Sequence, residues 1–220
     1  MALHLLGISR SRDLPRVAEQ STVGQIAVRW VFVDELACAV IDASRGSLDP
    51  LQHAAALEAI HRRICVLPMR FAAAPSAETE IRSMLETRRQ NLLEQLDQIE
   101  GSCEMGLRIA LPKRSAVEGH RSHRASLPSS YLQERWAYYQ CQDSLGDQAR
   151  LTVEQLVQEL SGTYRDWRTL APSPPGLVRL AFLVNRELVR LFEGRLGASD
   201  AKRSEEQWTV LGPWPPYSFA

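Results

Sequence analysis

Lysine is nearly missing from this 220-residue chain: Lys113 and Lys202 are the two lysines, and the other 24 of its 26 basic residues are arginines. Arginine forks pair with carboxylates and stack on aromatic faces, which suits pairs within a molecule and protein interfaces. A GC-rich genome supplies the same bias through codon usage. Charge of one sign is lacking too, because 26 acidic residues cancel the 26 basic ones. Nucleic-acid binders draw much of their affinity from phosphate neutralisation, so no nucleic-acid partner is expected. Clustered cysteine is absent. Cys38, Cys65, Cys103 and Cys141 stand singly with no C-x-x-C pair, which excludes structural zinc and redox dithiols. Every apolar run meets a charge well before the roughly 18 residues a membrane helix needs, so no membrane span is expected. Met1 to Arg10 has neither the charged start nor the long apolar core of a secretory leader, which predicts a cytosolic protein with reduced thiols.

Catalytic motifs are missing as well. There is no G-x-S-x-G elbow, no phosphate-binding G-x-x-x-x-G-K loop and no dinucleotide fingerprint. His53 and His61 lie eight residues apart on one expected helix, about 12 Å of rise, too far to share a metal. Both read as ordinary helix-surface or core residues. His120 and His123 sit beside Arg121 and Arg124 in a polar stretch that reads as solvated loop. The chain is therefore expected not to be an enzyme, with no catalytic residue, no metal site and no cofactor.

What is present is a folded globular composition, with 45% hydrophobic and 24% charged residues, long enough to bury a core without disulfides. Leu3 to Ile8 reads as a strand and is followed by loop-like residues to Gly24. IAVRWVFV and LACAVI then read as a hairpin about Asp34-Glu35. Asp49-Pro50 marks a helix start, with Leu51, Ala54, Ala55, Leu57 and Ile60 expected on the core side and an end near Arg63. Ile64 to Phe71 is strand-like, but Pro68 cannot donate to a ladder and confines it to an edge or bulge. Ser76 to Ile99 reads as one long helix stopped by Gly101, and Glu104 to Leu111 as a strand.

Pro112 to Ser130 is polar and reads as a linker or mobile loop. Tyr131 to Gln142 and Thr152 to Leu160 are expected helices. Strands follow at Thr163 to Leu170 and Leu177 to Val184, a helix over Arg186 to Leu196, and a last strand over Gln207 to Leu211. The resulting expectation is an α+β protein of two domains. Residues 1–111 form an N-terminal α+β domain, 112–130 the linker, and 131–211 a C-terminal domain, with membership of the strand at 104–111 in that second domain as the alternative. Its order, strand-helices-strand-strand-helix-strand, matches the split βαβ, or ferredoxin-like, plan.

Residues 212–220, GPWPPYSFA, form a separate tail. Three prolines hold it extended while Trp214, Tyr217 and Phe219 give it apolar surface, so it loses little entropy on docking. Two readings stand open. The tail covers a groove on its own domain, or it is a ligand for a partner.

Three segments carry a resemblance to a known family. They are His61-Arg-Arg-Ile-Cys-Val-Leu-Pro-Met-Arg-Phe71, then Leu180-Ala-Phe-Leu-Val184 with Arg186 and Glu187, and the closing GPWPPYSFA. In order and separation they resemble the gas vesicle protein GvpL/GvpF family. Members often continue the first block with Gly-Thr, where this chain has Ala72-Ala73-Ala74. The resemblance implies a cytoplasmic, gas-vesicle-associated accessory protein of two α+β domains, the second a modified ferredoxin-like fold, without catalytic residues or cofactors. It further implies binding to the hydrophobic shell protein GvpA and other accessory proteins, and in some cases a place as a minor vesicle component. Pro68, Met69, Phe71, Trp214, Tyr217 and Phe219 are the expected partner-binding residues, since the distinctive segments are apolar and proline-rich. The alternative on the same fold is a small-molecule-sensing regulatory protein.

Overall fold

The structure, a computed structural model, describes residues 3–14, 20–23, 26–42, 49–71, 77–112, 146–170, 176–201 and 206–220. The expected linker beyond Pro112, the helix at 131–142 and the helix start at Ser76 lie outside them. The fold is α+β with two antiparallel sheets. The chain divides into two compact units. One comprises residues 1–105, 183–186 and 212–220, the other 106–182 and 187–211.

The first unit is built on a five-stranded sheet. Its strands are β1 (Leu3–Arg10), β2 (Gln20–Val23), β3 (Ile26–Val33), β4 (Leu36–Asp42) and β5 (Leu67–Pro68), in the order β2-β3-β4-β1-β5. The hairpin of β3 and β4 turns at Asp34-Glu35 as expected, with Asp34 at φ 47°, a conformation Asp tolerates better than most residues. Strand β2 was not foreseen, because QSTV carries no apolar alternation. Central β4 is buried from Leu36 to Ile41, which needs cover on both faces. On one face, Leu6, Val28, Trp30, Ala37, Ala39 and Ile41 pack with Ala56, Leu57 and Ile60 of α1 (Pro50–His61). Alternation turns Val31, Cys38 and Val40 to the other face. Helices α2 (Glu78–Thr87) and α3 (Arg89–Ile99) pack against β3 and β1.

Helix α1 starts where Asp49-Pro50 predicts. Asp49 Oδ1 accepts from the Gln52 amide at 2.8 Å, and Gln52 Oε1 accepts from the Asp49 amide at 3.2 Å, a closed capping box. Its buried stripe differs from the expected one. His53, Ala56, Leu57, Ile60 and His61 face inward, whereas Leu51 is 81% exposed and Ala55 is exposed. The stripe follows i, i+3, i+4, i+7, i+8, and two of its members are histidines, so a hydrophobicity reading takes the wrong phase.

The expected long helix is two helices, broken at Arg88 (φ −102°, ψ 9°). Its apolar positions Ile81, Leu85, Leu92, Leu96 and Ile99 are buried as expected. Arginine forks fasten this pair to the sheet. Arg29 Nη1 donates to Glu78 at 2.6 Å, and Arg82 Nη1 donates to the Phe32 carbonyl at 2.9 Å. Arg89 grips both Glu35 oxygens, and Arg10 bonds Asp97. Exposed pairs are screened by solvent and hold little, so the burial of Ile81, Leu85, Leu92 and Leu96 does most of the holding.

Pro68 takes the edge position its missing donor requires. In β5, Pro68 pairs with Gly7 and Leu67 with Ile8. A Cβ at Gly7 would stand 2.5 Å from Val66 Cγ2 and 2.9 Å from the Leu67 carbonyl oxygen, so only glycine admits β5 this closely.

The second sheet has four strands, β6 (Ser102–Ala110), β7 (Asp166–Thr169), β8 (Leu177–Asn185) and β9 (Gln207–Trp214), in the order β7-β8-β6-β9. Strands β6, β8 and β9 each pass from one unit to the other along the chain. Helix α4 (146–159) precedes β7, and α5 (Val189–Asp200), entered through a short 3₁₀ turn at Arg186–Leu188, precedes β9. In the second unit, Leu107, Ile109, Leu156, Leu160, Leu180, Phe182, Phe192 and Leu196 are buried. Phe182 lies at its aromatic centre, 5.3 Å from the Tyr164 ring and 5.2 Å from the Phe192 ring.

The last strand runs three residues past the expected Leu211. Gly212 is at φ 110°, and a Cβ there would meet the Glu104 carbonyl oxygen at 2.6 Å, so the strand continues through a position that demands glycine.

A candidate partner-binding cavity

A cavity of the first unit is about 580 Å³, within the roughly 300–1,000 Å³ range usual for ligand clefts. Three elements and the chain end build it. Helix α1 supplies Pro50, His53 and Ala54. Strand β5 and the residues after it supply Leu67 to Phe71. Arg88, at the break between α2 and α3, joins Leu92 and Gln95, and Tyr217 with Ala220 closes the remaining side.

The segment after β5 is fixed by two backbone bonds. The Met69 amide donates to the Leu6 carbonyl at 2.9 Å, and the Met69 carbonyl lies 3.2 Å from His53 Nε2. That bond makes Nε2 the protonated nitrogen, leaving Nδ1 as a buried acceptor without a partner among the described residues. Burial, set against the bond to Met69, lowers the pKa of His53, so the ring is neutral at pH 7. Phe71 stands edge-on to this ring at 5.5 Å between centroids and is itself 40% exposed.

The C-terminal segment folds back within its own unit. Pro215, Pro216 and Phe219 are buried, and Trp214 is half-buried at the end of β9. The anchor is Glu104, a buried carboxylate on β6 that accepts from the Ser218 amide at 2.7 Å and the Ser218 hydroxyl at 2.9 Å. Bonds to a charged acceptor are about twice as strong as neutral ones. Glu104→Gln should therefore cost about 2 kcal/mol. The check is a urea titration alongside carboxypeptidase digestion, and the variant should lose its last residues faster than the parent.

Of the six residues expected from the sequence, the structure brings Pro68, Met69, Phe71 and Tyr217 to one cavity. Trp214 and Phe219 do not line it. His53, Leu92 and Arg88 escaped the sequence reading because they come from separate elements. His53 was visible only in the i, i+3, i+4 phase it shares with Ala56 and Leu57.

Burial pushes the Cys38 thiol up to about 12 and the Cys65 thiol up to about 11, so both are protonated at neutral pH. Among the described residues, no cluster of three or more His, Cys, Asp or Glu is placed to hold a metal ion. No helix among them is long and apolar enough to cross a membrane.

A family profile described as "Gas vesicle synthesis protein GvpL/GvpF" matches residues 2–220. The chain belongs to the GvpL/GvpF family. It is similar to Gas vesicle protein L of Streptomyces sp. (strain CB03234), 26% identical over 181 residues covering 76% of this chain and 67% of that protein. Two crystal structures share its fold. Gas vesicle protein GvpF from Anabaena sp. PCC7120 matches with a TM-score of 0.79 at 18% identity, covering 100% of this chain and 95% of that one. GvpF from Microcystis aeruginosa matches with a TM-score of 0.75 at 14% identity, covering 99% and 98%.

Proposed function

We propose that this GvpL/GvpF family member is a cytoplasmic, non-catalytic accessory factor of gas vesicle assembly. In this reading it binds the hydrophobic shell protein GvpA, other accessory proteins, or both, through the cavity of the first unit, and needs no cofactor. The carrying observation is that Phe71 and Tyr217, 40% and 42% exposed, flank a cavity walled by Pro50, Leu67, Pro68 and Leu92. Exposed aromatics beside an apolar recess mark docking sites more often than solvent-facing accident. A shell subunit exposes apolar surface before incorporation, and a recess of this kind would shield it from aggregation. Retention in the finished vesicle as a minor component is compatible with the same role.

The second half of the chain is read as a modified ferredoxin-like domain. The succession β6, α4, β7, β8, α5, β9 with sheet order β7-β8-β6-β9 supports that reading, since it follows the split βαβ plan.

The test is capture of GvpA by the tagged full chain. Phe71→Ala and Tyr217→Ala should each lower capture by about tenfold, the effect of losing an interface anchor, while the melting temperature stays near that of the parent. Phe219→Ala is the contrasting variant. It removes a buried ring and should lower the melting temperature. Undiminished capture by both the Phe71 and Tyr217 variants would remove this cavity from the function.

A further inference from the structure

The cavity of the first unit carries two cations that no carboxylate among the described residues pairs with. Arg70, just after β5, and Arg88, at the α2–α3 break, both line it and both are exposed. Four other arginines of the same unit are matched with acids, Arg10 with Asp97, Arg29 and Arg82 with Glu78, and Arg89 with Glu35, whereas Arg63, which does not line the cavity, forms no ion pair among the described residues. No carboxylate of the described residues forms an ion pair with Arg70 or Arg88, and no Asp or Glu lines the cavity. Glu58 and Glu104 act electrostatically on Tyr217 without lining the cavity, and Glu104 is engaged by Ser218. The recess is thus lined mostly by apolar residues, with two exposed arginines among them and no carboxylate.

We propose that the cavity receives a partner polypeptide segment with apolar side chains and a flanking carboxylate, the apolar part against Leu67, Pro68 and Leu92 and the carboxylate between Arg70 and Arg88. This rests on the docking role above and adds the chemistry of the segment that docks. Physical reasoning favours a peptide over a folded surface. A cleft of about 580 Å³ takes a few side chains and not a domain face. The exposure of the two arginines sets what they contribute. Exposed charges steer encounter and add salt-sensitive selectivity, whereas the buried apolar contact holds the complex. Arginine suits the task because its planar fork meets a carboxylate through two parallel bonds.

The experiment uses the full chain and short overlapping peptides of the shell subunit, each made with its native Asp and Glu and again with Asn and Gln. Binding is followed by fluorescence anisotropy at low and high salt. The parent should bind the acidic-apolar peptides roughly fivefold tighter than their amide forms at low salt, with the difference shrinking as salt rises. Arg70→Glu with Arg88→Glu should abolish that preference, and peptides bearing Lys in place of the acid should regain affinity for this variant. Equal binding of acid and amide forms at low salt would overturn the inference, as would an unchanged preference in the double variant. Phe71→Ala separates the two levels. If it weakens peptide binding while the charge changes do nothing, docking stands and the acidic partner falls. If no peptide binds the parent, or none responds to Phe71→Ala, the docking role falls as well.

Discussion

Phe182→Ala should cost about 3–5 kcal/mol, the largest loss expected from any single truncation in the second unit. Phe182 is fully buried in β8, its ring meeting Tyr164 at 62° and Phe192 at 57°. Removing it deletes apolar area and two aromatic contacts, one edge-on and one tilted, and it leaves a void on a strand that cannot collapse inward without breaking its ladder. Tyr164 is not at liberty to fill the gap, because its hydroxyl donates to the Val157 carbonyl of α4 at 3.0 Å. Urea titration monitored by circular dichroism measures the loss. Phe182→Leu, which keeps most of the volume, should recover more than half of it. A loss below about 1 kcal/mol for the alanine variant would mean that the aromatic centre does not hold this unit together.

Mild acid should weaken the first unit through His61. The ring is buried on α1, neither of its nitrogens has a hydrogen-bond partner among the described residues, and burial followed by the nearby Arg186 charge lowers its pKa from 6.5 to about 4. The Arg186 guanidinium also donates to the His61 carbonyl, which keeps that positive charge close. The sign follows from proton counting. Between pH 6.5 and 4 the unfolded chain binds a proton that the folded chain refuses, so stability is full above pH 6.5 and falls as the pH is lowered through the window. The complete loss is roughly 3 kcal/mol once the pH is below the folded value. His53, also depressed by burial, adds to the same slope. Denaturant midpoints across pH 7.5 to 4.5 for the parent and His61→Leu provide the measurement, and the variant should show a clearly flatter profile. Identical slopes would place the acid sensitivity elsewhere.

Residues whose backbone chemistry is local were legible from the sequence. Asp49-Pro50 marks its helix start because a short acceptor and a ring without an N–H suit that one place, and Pro68 marks an edge because it cannot donate. The α+β class and the strand-helix order of the second half follow from the same kind of signal. What escaped depends on tertiary context. The break at Arg88 has no glycine or proline to announce it. The inward stripe of α1 includes His53 and His61, which scales of hydrophobicity place outside. Strand β2 is short and polar, and its pairing with β3 supplies the order that its side chains do not announce. In the cavity, Pro68, Met69, Phe71 and Tyr217 stand out as apolar residues in distinctive segments, while Leu92 and Arg88 come from another stretch of chain and converge with them only on folding.

The return of the C-terminus has a consequence for biosynthesis. Glu104 and Ser218 are separated by 114 residues, yet they join within one unit, with the whole second unit lying between them in the chain. Nascent chains fold from the front, so the early part of this unit waits for residues 212–220, made after the whole second unit, before Tyr217 and Ala220 complete the side of the cleft. A nascent chain halted before Gly212 would thus carry an incomplete cleft.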